Sequence, residues 1–432
     1  MNFKTVLKKK FEGEFAKKTL FSFLLKFFGL GLSYFFTLLI SRFYGAEVVG
    51  RFSLTFTILN LFALFFALGI PDTMVKIIAD SNYKQQFDLK KTALRAILIS
   101  SVIGAIVLFL SAKSIALFYT DSVLYDYLLI AAAALVPLVI LRYNFEILRG
   151  RNEIVKFGFL SHIIPYLISV LAILFVFFVF EEKNGLQTIK VYFLGTVIAF
   201  ILSIFLTKHK EEIKRKAFPL KKMMNYSLPM LATSSFIFLM GWTDTLMLGY
   251  YNDKADVGIY SVVIKVARIA IIVLTSVNLV LAPKISELYS KSEHDKMKEL
   301  IRKATKIIFI TTAPMVGLIL IANKFVLGLF GDEFIIGSTA LIVIMLAQLF
   351  NAMTGSVGQV MNMTGNHKKL RDFTIISVIL NIVLNLILIP LYGILGAAIA
   401  TAASSVVINI ISVIFVKRRL GIITYISPFN SK

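Results

Sequence analysis

Cysteine is absent from all 432 residues, which excludes disulfides and thiolate metal sites. Acidic residues are scarce: 24 Asp and Glu stand against 46 Lys and Arg, a formal charge of +22. Charged residues of both signs make up only 16% of the chain while 58% is hydrophobic, and the mean hydropathy is +0.84. A soluble domain of this length cannot cover so much apolar surface, because a single core stops growing before all such side chains are inside. Tryptophan is nearly missing too, with one residue against 39 Phe and 16 Tyr, so Phe, Leu and Ile supply the bulk. Several chemistries lack their motifs. There is no GxxxxGK[ST] loop to cradle ATP phosphates, and neither HExxH nor a GxSxG elbow for hydrolysis. No cofactor, metal or catalytic group is expected, and transport is the class that remains.

What is present is a series of span-length apolar runs. A hydrocarbon core takes about 20 mostly apolar residues per helix, and that ruler gives twelve spans. They fall near 19–43, 49–69, 92–112, 124–148, 157–180, 187–207, 228–250, 257–281, 304–322, 335–354, 373–391 and 394–416. The basic residues sit in the short segments between them. A +22 charge in a soluble chain suggests nucleic acid; here it records orientation instead, and no nucleic-acid partner is expected. Counting flanks, 36 of the 46 Lys and Arg fall on one side and 6 on the other, which predicts cytoplasmic termini at both ends. Met1–Lys18 carries Lys8, Lys9, Lys10, Lys17 and Lys18 ahead of a span with no small-residue cleavage site, so it reads as a retained cytoplasmic amphipathic segment. The inside loops 208–227 and 282–303 are longer than the outside ones. The second has helical apolar spacing at Ile285, Leu288, Tyr289, Met297 and Leu300, and both are expected to lie as amphipathic helices on the anionic inner leaflet.

Six spans precede the basic loop and six follow it. Val49-Gly50-Arg51-Phe52-Ser53 is similar to Val257-Gly258-Ile259-Tyr260-Ser261, Pro71 matches Pro283, and Gly150 matches Gly365. The offsets grow gradually, as loop insertions after a duplication would produce. The expected organisation is a tail (1–18), a six-helix bundle (19–207), a basic inter-bundle loop (208–227), a second bundle (228–416) and a cytoplasmic tail (417–432). Two parallel repeats are related by an axis along the membrane normal, with the substrate path between them.

Ionisable groups within spans are costly in lipid, so each is a functional candidate. Span 1 carries Ser22, Lys26, Gly29, Ser33 and Thr37 at helical spacing; span 8 carries Ser261, Lys265, Arg268 and Thr275. Through the repeat, Lys265 and Arg268 correspond to Thr57 and Asn60. Lys26 has an alternative in snorkelling to the inner interface, and Arg42 and Arg51 have one in solvation at the outer interface. Arg142, Glu146, Arg149 and Arg151 look like an interfacial ion network at the inner end of span 4. Asp244 is the one acid well inside the later spans; it either pairs with Arg268 or Lys265, or carries a proton in ion coupling. Gln348 and Asn351 on span 10, and Thr374, Ser377, Asn381 and Asn385 on span 11, are polar lining residues or amide bridges between helices. His162 reads as a helix-contact residue.

The chain resembles the Wzx-type polysaccharide flippases of the MOP exporter superfamily. The carriers of the resemblance are YGAEVVGRFSL (44–54), GIPDTMVKIIAD (69–80), LRGRNEIVKFG (148–158) and YGILGAAIATAAS (392–404). It implies an all-α, MATE-like, V-shaped pseudo-two-fold pair of six-helix bundles in the cell inner membrane, with a monomer as the expected unit. It also implies a substrate, an undecaprenyl-diphosphate-linked oligosaccharide bound for O-antigen or a related glycan. Membrane lipids surround the protein, and glycan polymerase and chain-length machinery would act downstream. Lys26, Arg42, Arg51, Asn60, Lys265 and Arg268 would then bind the diphosphate, with Ser33, Thr57, Gln348, Asn351, Asn381 and Asn385 lining the cavity. Drug-exporting MATE relatives are expected to carry acids in their bundles, where span 1 offers Lys26; lipid II flippases are expected to have two more helices. A cation-coupled multidrug exporter is the alternative, and a polytopic glycan polymerase or ligase, which lacks the large external loop it would need, is the third reading.

Overall fold

The structure, a computed structural model, describes residues 3–79, 87–180, 184–208, 216–217 and 219–426. The side chains of 1–20 are not included, so the amphipathic reading of 1–18 lies outside the described residues. So do 209–215 of the basic loop and 427–432 of the tail.

Among the described residues, nine helices are long and apolar enough to cross a membrane, and the bent helix Leu220–Tyr251 makes a tenth. Two of the nine are far too long for one crossing. Leu24–Phe66 has 43 residues and His367–Leu420 has 54, which at 1.5 Å per residue reach about 65 and 80 Å, against a hydrocarbon core of about 30 Å. Each contains one glycine with non-helical backbone, Gly45 (φ 83°) and Gly393 (φ 52°), a conformation that glycine adopts without steric cost. Divided there, the helices are consistent with the twelve expected spans. The multi-pass, all-helical character follows from the absence of water in lipid, where only helices satisfy every backbone group within one segment.

The helices form two compact units, Met1–Tyr44 with Arg51–Ile237, and Gly45–Gly50 with Phe238–Lys432. The division falls inside span 7 at Ile237, not in the 208–227 loop. The first half of span 7 stays with the first unit because Gly69 (φ 65°) leaves no room for a side chain beside Ser227 O, and Ser234 Oγ donates to Asp72 at 2.8 Å. The first unit also holds a two-residue parallel pairing of Phe87–Asp88 with Lys216–Ala217. Span 5 contains a π-helical turn at Phe159–Ile163, whose His162 packs directly on Gly29.

In the second unit the expected leaflet helices at 282–303 do not exist as separate elements. Spans 8 and 9 run on as Lys254–Ser290 and His294–Ile321 and meet at a tight turn. Ile285, Met297 and Ile301 are buried against Val357, Val360, Met361, Val416 and Ile422, so the apolar spacing records packing on protein instead of lipid. The exposed face is paired within itself, Glu287 with Lys291 and Glu299 with Lys303. Helix continues to Leu420, and the chain then doubles under this unit: Thr305 donates to Thr424 O at 2.8 Å, and Ile426 N to Met353 O at 2.9 Å.

The repeated Val-Gly motifs meet here. A Cβ on Gly50 would lie 1.7 Å from Lys254 O and one on Gly258 would lie 2.0 Å from Ala46 O. Glu333 Oε1 accepts from Ala46 N at 2.6 Å and ties down the same turn. Small residues at a helix crossing let backbones approach this closely in lipid. Gly258→Ala is expected to lower stability by about 1–3 kcal/mol through overpacking. Gly241→Ala, with nothing within 4 Å, should be neutral or slightly stabilising. Thermal unfolding of the two purified variants in detergent checks this, and equal melting temperatures would contradict the crossing.

Candidate functional site

The second unit builds a buried carboxylate site. Asp244 on span 7 is 6% exposed. Tyr260 Oη on span 8 donates to its Oδ2 at 2.6 Å, and Thr401 Oγ1 on span 12 donates to the same oxygen. Two amides of span 11 serve Oδ1, Asn385 Nδ2 at 2.6 Å and Asn381 Nδ2 at 3.3 Å. Asn385 Nδ2 also donates to Asn381 Oδ1 at 3.1 Å, one helical turn away. Among the described residues every group that hydrogen-bonds Asp244 is neutral, so the ion pair with Arg268 or Lys265 that the sequence left open is not what holds it. Asn385 Oδ1 is buried with no hydrogen-bond partner. An orphaned acceptor of this kind is rare in native interiors and calls for an explanation.

Span 11's amides are thus part of a site on Asp244, not only contacts between helices. Tyr260 and Thr401 carry no charge or amide to mark them in the sequence, although they lie in the repeated Val-Gly-Ile-Tyr-Ser and the YGILGAAIATAAS stretch.

The first unit brings the same four helices together with a different filling. Phe36 of span 1 meets Phe52 of span 2 with ring centroids 5.7 Å apart, and Tyr166 of span 5 at 6.4 Å. Tyr192 of span 6 lies 5.7 Å from Phe52 and 6.1 Å from Tyr166. Phe36, Phe52, Tyr166 and Tyr192 match Asp244, Tyr260, Asn381 and Thr401 at offsets of 208, 208, 215 and 209. The correspondence supports the duplication. One copy packs rings where the other gathers oxygens.

Beside the rings, Arg142 Nη2 donates to Asn60 Oδ1, while Asn60 Nδ2 donates to Phe56 O at 2.6 Å. Arg142 was grouped with the interfacial charges of span 4; instead it turns inward onto a residue already marked for binding. Glu146 and Arg149 do pair, at 2.8 Å. Thr57 and Ser33 are buried, with Thr57 Oγ1 donating to Ser53 O at 2.7 Å and Ser33 O accepting from Thr37 at 3.1 Å.

The cations fall into distinct situations. Arg268 is exposed although it lies near the middle of the apolar run 257–281, which by hydropathy sets it at mid-membrane depth. Its guanidinium sits 5.7 Å from the ring of Trp242, within cation–π range. Lys265, one turn earlier, is half-buried. Lys26 and Arg42 are exposed on one helix, sixteen residues apart, so about 24 Å of rise separates them. Arg51 is committed to Asp121, Nε to Oδ2 at 2.8 Å, and Asp121 also accepts from Val123 N at 3.0 Å at the start of span 4. Gln348 and Asn351 face each other at 3.5 Å.

Comparison with known proteins bears on the family and the fold. The family model described as polysaccharide biosynthesis protein matches residues 15–289, and one described as MatE matches 229–387. The probable low-salt glycan biosynthesis flippase Agl15 of Haloferax volcanii is 24% identical over 394 residues, 90% of this chain and 81% of that protein. The lipid II flippase MurJ in an inward closed conformation has a TM-score of 0.74 at 15% identity, over 92% of this chain and 87% of that one. An inward-facing multidrug MATE transporter has a TM-score of 0.75 at 14% identity, over 90% and 94%. At such identities the solved structures establish a shared fold.

Removing Asn60 leaves the Arg142 guanidinium without its amide acceptor, so Asn60→Leu is expected to destabilise by about 1–3 kcal/mol. In a double-mutant cycle with Arg142→Leu the pair should cost less than the sum of the singles by about 1 kcal/mol. Additive effects in unfolding measurements would dismiss the coupling.

Proposed function

Because the chain belongs to the polysaccharide biosynthesis protein family, we propose that it is a flippase that carries a polyprenyl-diphosphate-linked oligosaccharide to the outer leaflet of the cell inner membrane by alternating access. The observation that carries this reading is Arg268, an exposed guanidinium at mid-membrane depth beside Trp242. A cation there is expensive unless it faces water or an anion, and a diphosphate in low dielectric answers it strongly through charge-assisted hydrogen bonds. Lys265 adds a second positive group one turn away. Lys26 and Arg42 act at different depths, so they serve the head group at successive stages. Arg51, held by Asp121, contributes least. The Lys and Arg asymmetry supports cytoplasmic termini, so loading occurs at the inner ends of the spans.

Asp244 supplies the coupling in this reading. Carboxylate, amide and hydroxyl oxygens suit a hard monovalent cation or a proton. A rotation of the Asn385 amide would present its orphaned Oδ1 to a cation held on Asp244 and remove the unsatisfied acceptor, since amide orientation is assigned from hydrogen bonding. The MatE match over 229–387 spans Asp244, Asn381 and Asn385, which favours a second reading as a cation-coupled exporter of small amphipathic molecules. A deletion strain that becomes drug-sensitive while keeping its surface glycan would select that reading.

Lys265→Gln with Arg268→Gln is expected to abolish surface polysaccharide in a complementation assay while membrane protein levels stay normal; normal glycan display would refute the site. Asp244→Asn should leave flipping in proteoliposomes unresponsive to an imposed sodium or proton gradient that accelerates the wild type. An unchanged response would remove Asp244 from coupling.

A further inference from the structure

The first unit contains a cavity of about 240 Å³ at the inner ends of spans 2 and 4, lined by Gly69, Asp72, Arg142, Phe145 and Glu146 among others. Pockets for drug-sized ligands run from about 300 Å³ upward, so this one suits a single ring. Its polar lining mixes acceptors with a donor. Asp72 takes Ser234 Oγ on Oδ2 at 2.8 Å, and among the described residues its Oδ1 receives no hydrogen bond. Arg142 is anchored by Asn60, and Phe145 by an edge-on contact with Phe157 at 6.2 Å. Every group is therefore held by a partner outside the cavity. Preorganisation of this kind reduces the cost of ordering a ligand's contacts.

The charge of this lining argues against the diphosphate. Two carboxylates face one guanidinium, and the Arg149 that pairs with Glu146 at 2.8 Å is largely exposed. With Arg149 paired to Glu146, the lining carries no net positive charge to hold a dianion, whereas an uncharged polyol needs none. Sugar hydroxyls both donate and accept, so they match carboxylates and a guanidinium side by side, and an apolar sugar face packs on an aromatic ring.

Resting on the flippase reading above, we infer that this cavity is the head-group subsite that recognises one uncharged sugar ring of the cargo on the cytoplasmic side. Asp72 and Glu146 accept from ring hydroxyls, Arg142 donates to a ring or acetamido oxygen, and Phe145 covers the apolar face. Sugar recognition in this cavity is then a task distinct from capture of the diphosphate.

The test compares two probes on the full chain in nanodiscs by native mass spectrometry: a polyprenyl diphosphate, and the same lipid bearing one N-acetylglucosamine. The wild type should hold the sugar-bearing lipid about tenfold more tightly, as one or two net hydrogen bonds would give. Asp72→Asn with Glu146→Gln should erase most of that preference and leave affinity for the bare diphosphate within about twofold. Should the double variant fail to fold, Asp72→Asn alone, which can still accept from Ser234, should lose part of the preference. A preference that survives in the variant, or is absent from the wild type, overturns the subsite alone. Failure of both lipids to bind the wild type overturns the flippase reading and the subsite with it.

Discussion

Charge in a medium without water is the constraint from which the rest of this protein follows. An isolated ion in hydrocarbon costs several kcal/mol even after relaxation, and several charges among the described residues have arrangements that offset it. Arg51 has Asp121, Arg142 has Asn60, and Asp244 has four neutral donors. Arg268 is exposed and has an aromatic face. Backbone groups obey the same rule. The chain stays helical through the spans and turns at residues of positive φ, glycines at Gly45 and Gly393 and non-glycines at Thr120, Asn152 and Ser292.

Duplication followed by divergence explains how one skeleton hosts two environments. Four helices converge in each unit, and four matched positions decide the character of the centre. Rings at Phe36, Phe52, Tyr166 and Tyr192 give a rigid apolar plug, whereas Asp244, Tyr260, Asn381 and Thr401 give a cluster of oxygens. Asn381 and Asn385 add donors to the acid without adding charge, and their hydrogen bonds offset its desolvation.

Much of the architecture was legible because hydropathy and the Lys and Arg asymmetry are one-dimensional signals. The break between spans 1 and 2 was expected between 43 and 49 and occurs at Gly45. Contacts between distant helices were not legible. The Val-Gly repeat was visible as similarity, but nothing in one dimension says that Gly50 and Gly258 lie against each other. Arg142 was assigned to the interface by its distance from the span's end, a rule that ignores the direction in which the side chain points. Ile285 and Met297 had amphipathic spacing whether the partner was lipid or protein, and only the packing against Val360 and Ile422 decides between them. Asn381 and Asn385 could be placed on one helix face, yet the acid they serve is more than a hundred residues away.

On the flippase reading, the neutral environment of Asp244 bears on how cargo and coupling would share one unit. A salt bridge from Asp244 to Lys265 or Arg268 would have satisfied both partners and removed both from service. Each would then be neutralised in the resting state, and neither cation entry nor anion capture would change the local charge by much. With neutral donors on the acid and an aromatic face beside the arginine, the two charges stay uncommitted on adjacent helices. Trp242 and Asp244 both lie on span 7, and Tyr260, which donates to Asp244, shares its helix with Arg268. On the flippase reading, occupancy of Asp244 by a cation would strengthen the positive potential that an anionic head group meets, and loss of the cation would weaken it. Coupling would then start at an acid that no cationic side chain among the described residues neutralises, with the Asn385 amide free to turn toward a bound cation.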